Sequence, residues 1–129
     1  MIHIKITVQG EPDVSPFTSI FHYSTKTDEE IFINTSMMIK NRLNKNLKIN
    51  INEVIVVYSA LIVSELRNGK SIEQIQNNAS CLLNPEQVMI GVPETLRKIS
   101  FEVTLDDNSM NLIVLNTPIR ILDYFLKST

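Results

Sequence analysis

The chain has 129 residues, of which 43% are hydrophobic and 20% charged, and this balance excludes a disordered protein. A chain of this length is typical of one domain with one hydrophobic core. The formal net charge is -2, so the sequence offers no basic surface that could neutralise phosphates. We therefore expect no nucleic-acid partner.

The longest apolar run is too short to cross a membrane. It extends from Val54 to Val63, about ten residues, whereas a spanning helix needs about twenty. The N-terminal residues lack the basic and apolar segments of a secretion signal, and Cys81, the single cysteine, allows no internal disulfide. We predict a cytoplasmic protein with no membrane partner, in which Cys81 is a small buried side chain.

The N-terminal segment predicts one strand followed by an arm. Apolar and polar residues alternate from Ile2 to Val8, which is typical of a half-buried strand. Gly10 and Pro12 end this pattern. The segment up to Thr25 also contains Pro16, and the two prolines exclude a regular helix there, so we predict an irregular arm or loop.

Four sites carry the signature of a helix start. There a side-chain oxygen can accept a hydrogen bond from a free backbone N–H of the first turn, and the side chain three residues later can accept from the backbone N–H of the capping residue. The first predicted helix places Phe32, Ile39 and Leu43 on one apolar stripe. The capping pairs are Thr27 with Glu30, Asn50 with Glu53, Ser71 with Gln74, and Asn84 with Gln87. They predict helices over about residues 28–44, 51–68 and 72–77, and a single turn over 85–88.

The run from Val54 to Val63 is apolar on every side and rich in β-branched residues, so its periodicity fits a strand as well as a helix. Two local signals favour the helix. Asn50 is a good N-cap, and Gly69 suits the left-handed residue just past a helix end. A helix that is apolar all round should lie at the centre of the molecule.

The C-terminal third predicts a β-hairpin and an apolar tail. Apolar residues alternate from Ile99 to Leu105, and Leu112 and Val114 follow a polar turn at 106–109. Residues 118–127 form either a short amphipathic helix or a docking tail, which needs cover from the core or from another subunit.

These elements predict an α+β fold: a bundle of three to four helices with a C-terminal antiparallel β-hairpin and an N-terminal strand. We divide the chain into an N-terminal strand and arm over residues 1–27, a main domain over 28–119, and a tail over 120–129.

The titratable residues form no pattern of a catalytic or metal site. His3 and His22 lack the sequence spacing of a metal pair, and the glycines are too far apart for a phosphate loop. Acidic residues such as Glu29 and Glu53 lie in first turns of predicted helices, where they complement the helix dipole. We therefore predict no catalytic, cofactor-binding or metal-binding residue in this chain.

Two segments resemble the gamma subunit of nickel ureases. From Lys48 the sequence KININEVIVVYSA, followed by RNGKSI, is similar to that family's K-L-N-Y-P-E-A-V-A-L-I-S-A and R-D-G-K-S-V. Further on, Leu82-Leu83, Val88-Met89 and Gly91-Val92-Pro93-Glu94 are similar to its T-L-L, D-V-M and G-V-P-E, with no gap. Asp107-Asn108-Ser109 and Thr117-Pro118-Ile119 lie near its D-G-T and T-P-I. The family's acidic residue before G-V-P-E is Ile90 here.

The resemblance implies a structural, non-catalytic subunit of a urease, the enzyme complex that hydrolyses urea to ammonia and carbamate. It implies alpha and beta partner subunits in a trimer of heterotrimers, with the nickel ions in the alpha subunit. The candidate subunit-interface residues are Gly91, Val92, Pro93, Glu94, Pro118 and Ile119. For the segment from Gly91 to Glu94, a simple turn into the hairpin is an equally good interpretation.

A second hypothesis remains open. The chain could be a free-standing module with a urease gamma-like fold that serves another complex. It could also form a homo-oligomer, in which the strand from Ile2 to Val8 pairs by its edge and the apolar tail adds contacts. The sequence leaves open whether the N-terminal arm packs on its own domain or on a neighbour.

Overall fold

The computed structural model describes residues 2–10, 17–23 and 26–119, with side chains for 2–10 and 27–119. The predicted α+β fold is confirmed, with an N-terminal strand, a set of helices and a C-terminal hairpin. The strands are β1 (Ile2–Gln9), β2 (Phe17–Tyr23), β3 (Lys98–Thr104) and β4 (Met110–Asn116). The helices are α1 (Lys26–Asn44), α2 (Ile51–Arg67), α3 (Ile72–Ser80) and the single-turn α4 (Val92–Thr95), with a 3₁₀ turn at Pro85–Gln87.

The described strands form one antiparallel sheet in the order β2-β1-β3-β4. The prediction of an irregular arm before α1 is therefore wrong, because Phe17–Tyr23 pairs with β1 along its whole length. The two prolines precede this strand in the sequence. A proline removes a hydrogen-bond donor only at its own position, and the residues after Pro16 are rich in aromatic and β-branched types.

The position of β1 also corrects the edge-pairing hypothesis. Strand β1 lies between β2 and β3 and is hydrogen-bonded to both, so it offers no free backbone edge to a second copy. Within the described part of the chain, the edges of the sheet are β2 and β4. A homo-oligomer formed by edge pairing of Ile2 to Val8 is therefore excluded.

The core lies between one face of the sheet and the helices. On β1, Ile4 and Ile6 are fully buried, and the residues opposite them on β3, Val103 and Phe101, are fully buried as well. Helix α2 is the central helix, as predicted, and its buried residues run from Val54 to Glu65. Burial of aliphatic side chains on these elements is the main source of stability.

Three of the four predicted capping boxes are confirmed, at Asn50, Ser71 and Asn84. In the first, the Glu53 N–H donates to Asn50 Oδ1 (2.9 Å) and the Asn50 N–H donates to Glu53 Oε1 (3.1 Å). The fourth prediction is wrong, because α1 begins at Lys26 and Thr27 is already helical. Helix α3 extends to Ser80, beyond the predicted end.

Helix α2 ends at Arg67, and Gly69 is the left-handed residue just past its end, as predicted. Gly69 has φ +75°, a left-handed conformation that favours glycine. The Gly69 N–H donates to the Leu66 carbonyl (3.1 Å) and the Lys70 N–H donates to the Glu65 carbonyl (3.1 Å), which satisfies two of the free carbonyls. This is a Schellman motif. It turns the chain towards α3.

None of the described helices is both long and apolar enough to span a bilayer. The predicted division into residues 1–27, 28–119 and 120–129 stays a prediction, although β1 shares its core with the helices and the hairpin. The predicted tail beyond Ile119 lies outside the described residues.

Candidate assembly surface

The predicted turn at Gly91 is the start of a single-turn helix. Gly91 has φ +91°, and its carbonyl accepts from the N–H of Thr95 (3.1 Å) and from the Thr95 hydroxyl (2.8 Å). Gly91 is exposed, whereas Val92 and Pro93 are buried. These two apolar side chains therefore anchor α4 to the core of this chain. Its accessible surface comes from the half-buried Glu94 and Thr95, next to the exposed Gly91.

Glu94 has an unusual environment for a carboxylate. Its Oε2 atom is buried, and no hydrogen-bond donor for it lies within the described part of the chain. Carboxylate oxygens that are removed from water normally accept hydrogen bonds, because desolvation of an unpaired oxygen costs free energy. Glu94 is therefore a position where a donor from a neighbouring molecule would add a missing interaction.

The residues after β4 lie next to the segment that follows α4. The Thr117 N–H donates to the Arg97 carbonyl (2.6 Å), and Thr117 itself has φ +47°. Pro118 and Ile119 are both buried, and Ile119 belongs to the main core. The bond between Thr117 and Arg97 thus joins the residues that adjoin the two predicted interface segments. The structure places Val92, Pro93, Pro118 and Ile119 in the interior rather than on the surface.

The most exposed apolar side chain of this region is Ile90. It is fully exposed, and its neighbour Met89 is 45% exposed. Met89 is held by its backbone, since its N–H donates to the Ile49 carbonyl (2.9 Å). Ile90 is therefore presented to solvent on a fixed loop directly before Gly91. The prediction of interface residues did not include it.

Helix α1 carries a second exposed apolar surface, which the sequence analysis missed. Its inner stripe is as predicted, with Phe32 and Ile39 buried. Its outer side presents large apolar residues to solvent, among which Met38 is 67% exposed. By helical angle, Ile31 and Met38 lie on one flank of this outer side and Ile33 and Met37 on the other, with Asn34 and Asn41 between them. We call the flank formed by Ile31 and Met38 the α1 apolar face. A count of apolar residues outside the predicted stripe could have found it.

A groove of about 320 Å³ lies beside this face, between α1 and α2. Met38 and Val56 contribute its apolar lining, and Arg42 and Glu53 lie at its polar side. The Arg42 guanidinium forms an ion pair with the Glu53 carboxylate, which also belongs to the capping box of α2. The groove therefore combines an apolar surface with charges that are already paired within the chain.

A charged cluster joins the other end of α1 to α2 and the hairpin. Arg67 donates from Nε and Nη2 to the two carboxylate oxygens of Glu29 (2.7 and 2.9 Å), and its Nη1 lies 3.6 Å from Asp106 Oδ2. Pairing with Glu29 raises the pKa of Arg67. This bidentate pair fixes the start of α1 on the end of α2.

The hairpin turn is also held by local hydrogen bonds. The hydroxyl and N–H of Ser109 donate to Asp107 Oδ1 (2.6 and 3.0 Å), and these bonds lower the pKa of Asp107. Asn108 adopts the left-handed conformation with φ 64°. Asn tolerates this conformation better than most residues. Asp107 therefore stabilises the hairpin turn.

No group of three or more His, Cys, Asp or Glu residues that could hold a metal ion occurs among the described residues. The backbone register pairs His3 with His22 on neighbouring strands, which their separation in sequence did not reveal; the side chain of His22 lies outside the described residues. Cys81 is exposed, so the prediction of a buried thiol is wrong. It is the C-cap residue of α3.

Comparison with known proteins agrees with the resemblance seen in the sequence. Residues 21–119 match the family model described as "Urease, gamma subunit". Urease subunit gamma of Prochlorococcus marinus (strain NATL1A) is 32% identical over 93 residues, which cover 72% of this chain and 92% of the relative. Urease subunit gamma of Synechococcus sp. (strain CC9605) is 31% identical over the same shares of both chains. This chain belongs to the urease gamma subunit family.

Proposed function

We propose that this chain occupies the gamma position of a cytoplasmic urease and packs against alpha and beta subunits in a trimer of heterotrimers. Membership of the family supports this position. The chain is a non-catalytic, structural subunit of the complex that hydrolyses urea to ammonia and carbamate. In ureases the nickel belongs to the alpha subunit, so the role of this chain is to contribute to the assembly.

The observation that carries the proposal is the α1 apolar face. A soluble monomer seldom exposes several large apolar side chains on one helix, because their contact with water is unfavourable. On α1, Ile31 and Met38 are more than half exposed, and they lie two turns apart on the same side of the helix. A partner subunit that covers this face would remove them from water.

The region around α4 supplies the second part of the proposed interface. We include Gly91, Glu94 and the exposed Ile90 as residues that contact a partner directly. A donor from the partner would satisfy the buried Oε2 of Glu94. The buried residues Val92, Pro93, Pro118 and Ile119 contribute to the shape of this surface from inside the chain.

Co-expression with urease alpha and beta chains of the same organism tests the proposal. The wild-type chain should co-elute with both partners at the size of a large complex. Met38→Asp should abolish or strongly reduce co-elution, because burial of an unpaired carboxylate at an interface is costly. Asn77→Asp is the matched control, since it adds the same charge at an exposed position of another helix, α3.

The two variants should have the same free energy of unfolding as isolated chains, because both positions are exposed. The proposal fails if the wild-type chain elutes apart from partners that assemble with each other. It also fails if the wild-type chain elutes only as a homo-oligomer. If Met38→Asp co-elutes as well as Asn77→Asp does, the α1 apolar face is not the interface.

A further inference from the structure

We propose that the edge of β3 is a strand-binding site, and that this chain supplies its own ligand for it, the N-terminal strand β1. The ligand class is an extended peptide with an aliphatic side chain at every second position. The proposal goes beyond a role in a urease, since it concerns the chain alone and needs no partner subunit.

The backbone pairing shows how complete the site is. Strand β1 runs antiparallel to β3 in an unbroken register of seven residue pairs, from His3 opposite Thr104 to Gln9 opposite Lys98. If β1 were absent, β3 would present its outer row of N–H and C=O groups unpaired, next to an exposed part of the core. Such an edge readily accepts another strand.

The side chains of β1 provide the specificity. Ile2, Ile4, Ile6 and Val8 are at most 2% exposed, and all belong to the main core. Ile2 reaches the helices, where it lines a cavity of about 190 Å³ with Phe32 of α1 and Val63 of α2. On the other face, Lys5 is exposed. The site therefore selects every second residue and tolerates changes at the exposed position of Lys5.

The family comparison indicates that this ligand strand is an addition. The residues that match the urease gamma family, 21–119, include both β3 and β4 and exclude the whole of β1. A chain of the matched residues alone would end its sheet at an unpaired β3. In this protein the N-terminal segment closes that edge, so a partner subunit cannot pair with β3.

The test uses the full chain with one protease recognition site inserted after Gly10. Cleavage of the folded protein should leave residues 1–10 bound. The complex should then have the mass of the intact chain plus one water, and the circular dichroism of the intact chain. A labelled synthetic peptide of residues 1–10 should then exchange into the cut protein at a ratio of one to one, as measured by native mass spectrometry.

Peptide variants give the controls. A peptide with Ile4→Asp should bind at least about 100-fold more weakly, because its carboxylate would enter the core. A peptide with Lys5→Thr should bind within about threefold of the native one, since this side chain faces solvent and Thr suits a strand. Hydrogen exchange of the β3 amides should be slow when the cleaved fragment or the native synthetic peptide is bound. It should be fast after residues 1–10 are removed.

Three results would overturn the proposal. The first is release of residues 1–10 on cleavage while the rest of the chain keeps its hydrogen-exchange pattern. The second is equal binding of the native and Ile4→Asp peptides. The third is an uncut chain that forms dimers in which labelled and unlabelled copies exchange their N-terminal strands, because the ligand would then act between chains. None of these measurements involves urease partners, so their outcome does not test the proposed function.

Discussion

At the scale of single residues, the most informative side chain is Tyr58 at the centre of α2. It is 0% exposed, and within the described part of the chain its hydroxyl has no hydrogen-bond partner. Burial raises the pKa of Tyr58. The ring stabilises the core through its apolar area, whereas the buried hydroxyl opposes folding.

Removal of this hydroxyl should stabilise the protein. We expect Tyr58→Phe to increase the free energy of unfolding by about 1 kcal/mol, because the desolvation penalty of an unpaired hydroxyl disappears. Tyr58→Ala should decrease it by about 3–5 kcal/mol through the loss of the ring. Urea denaturation measures both. A decrease of 1 kcal/mol or more for Tyr58→Phe would mean that the hydroxyl forms a hydrogen bond in the folded protein.

The same residue should make stability fall in alkaline solution. Its pKa is higher in the folded than in the unfolded chain, so above about pH 10 the unfolded chain loses the phenol proton first and is favoured. Relative to Tyr58→Phe, the wild type should lose roughly 1 kcal/mol between about pH 10 and pH 11. Parallel pH dependence of the two proteins over this range would contradict the assignment.

A further residue pair links α2 to α3. Glu65 is buried, and its Oε1 accepts from Asn78 Nδ2 (2.9 Å), while Lys70 Nζ lies 3.5 Å from its Oε2. Asn78→Asp replaces the donor with a second carboxylate, so it should cost about 1–3 kcal/mol of unfolding free energy near neutral pH. Asn77→Asp, exposed on the same helix, should cost little. If thermal unfolding shows the same loss of unfolding free energy for Asn78→Asp and Asn77→Asp, the hydrogen bond between Asn78 and Glu65 is not the cause.

At the scale of elements, local signals in the sequence predicted most helix ends. Asn50 and Ser71 were recognised as caps because a capping box depends on residues three positions apart. Strand β2 could not be predicted in this way. Its aromatic and β-branched residues favour a strand, but its partner β1 lies beyond the intervening prolines, and no local pattern indicates that pairing.

The sequence pointed to one segment of the candidate assembly surface and not to the α1 apolar face, for a related reason. The resemblance pointed to the segment from Gly91 to Glu94, which does carry exposed atoms and the buried Oε2 of Glu94. The period of α1 predicted its inner stripe correctly, but the outer residues Met37 and Met38 were not interpreted. Which side chains of α1 are exposed depends on how the helix packs. The only signal in the sequence is that α1 has more apolar residues than its inner stripe needs.

The end of α2 offers a test at the element scale. Gly69 has φ +75°, and a Cβ added there would meet nothing within 4 Å, so the cost of Gly69→Ala comes from backbone strain alone. We expect a loss of about 1 kcal/mol in unfolding free energy. Gly69→Asn should lose less, since Asn adopts the left-handed conformation more easily. A Gly69→Ala protein as stable as the wild type would disprove a left-handed helix end.

At the scale of the whole molecule, a closed core coexists with exposed apolar surfaces. Strands β1, β3 and β4 and the described helices share one core, to which β1 contributes from within the sheet. The α1 apolar face and Ile90 remain open to solvent on the isolated chain. This combination suits a subunit that folds by itself and becomes fully covered only in an assembly.

The central claim is that this chain completes a urease assembly without taking part in catalysis. The most direct measurement is native mass spectrometry of the complex formed with urease alpha and beta chains and nickel, together with its urease activity. We predict equal numbers of the three chains in one active complex, and no activity from this chain with nickel alone. An active complex of alpha and beta chains that excludes the wild-type chain would contradict the account.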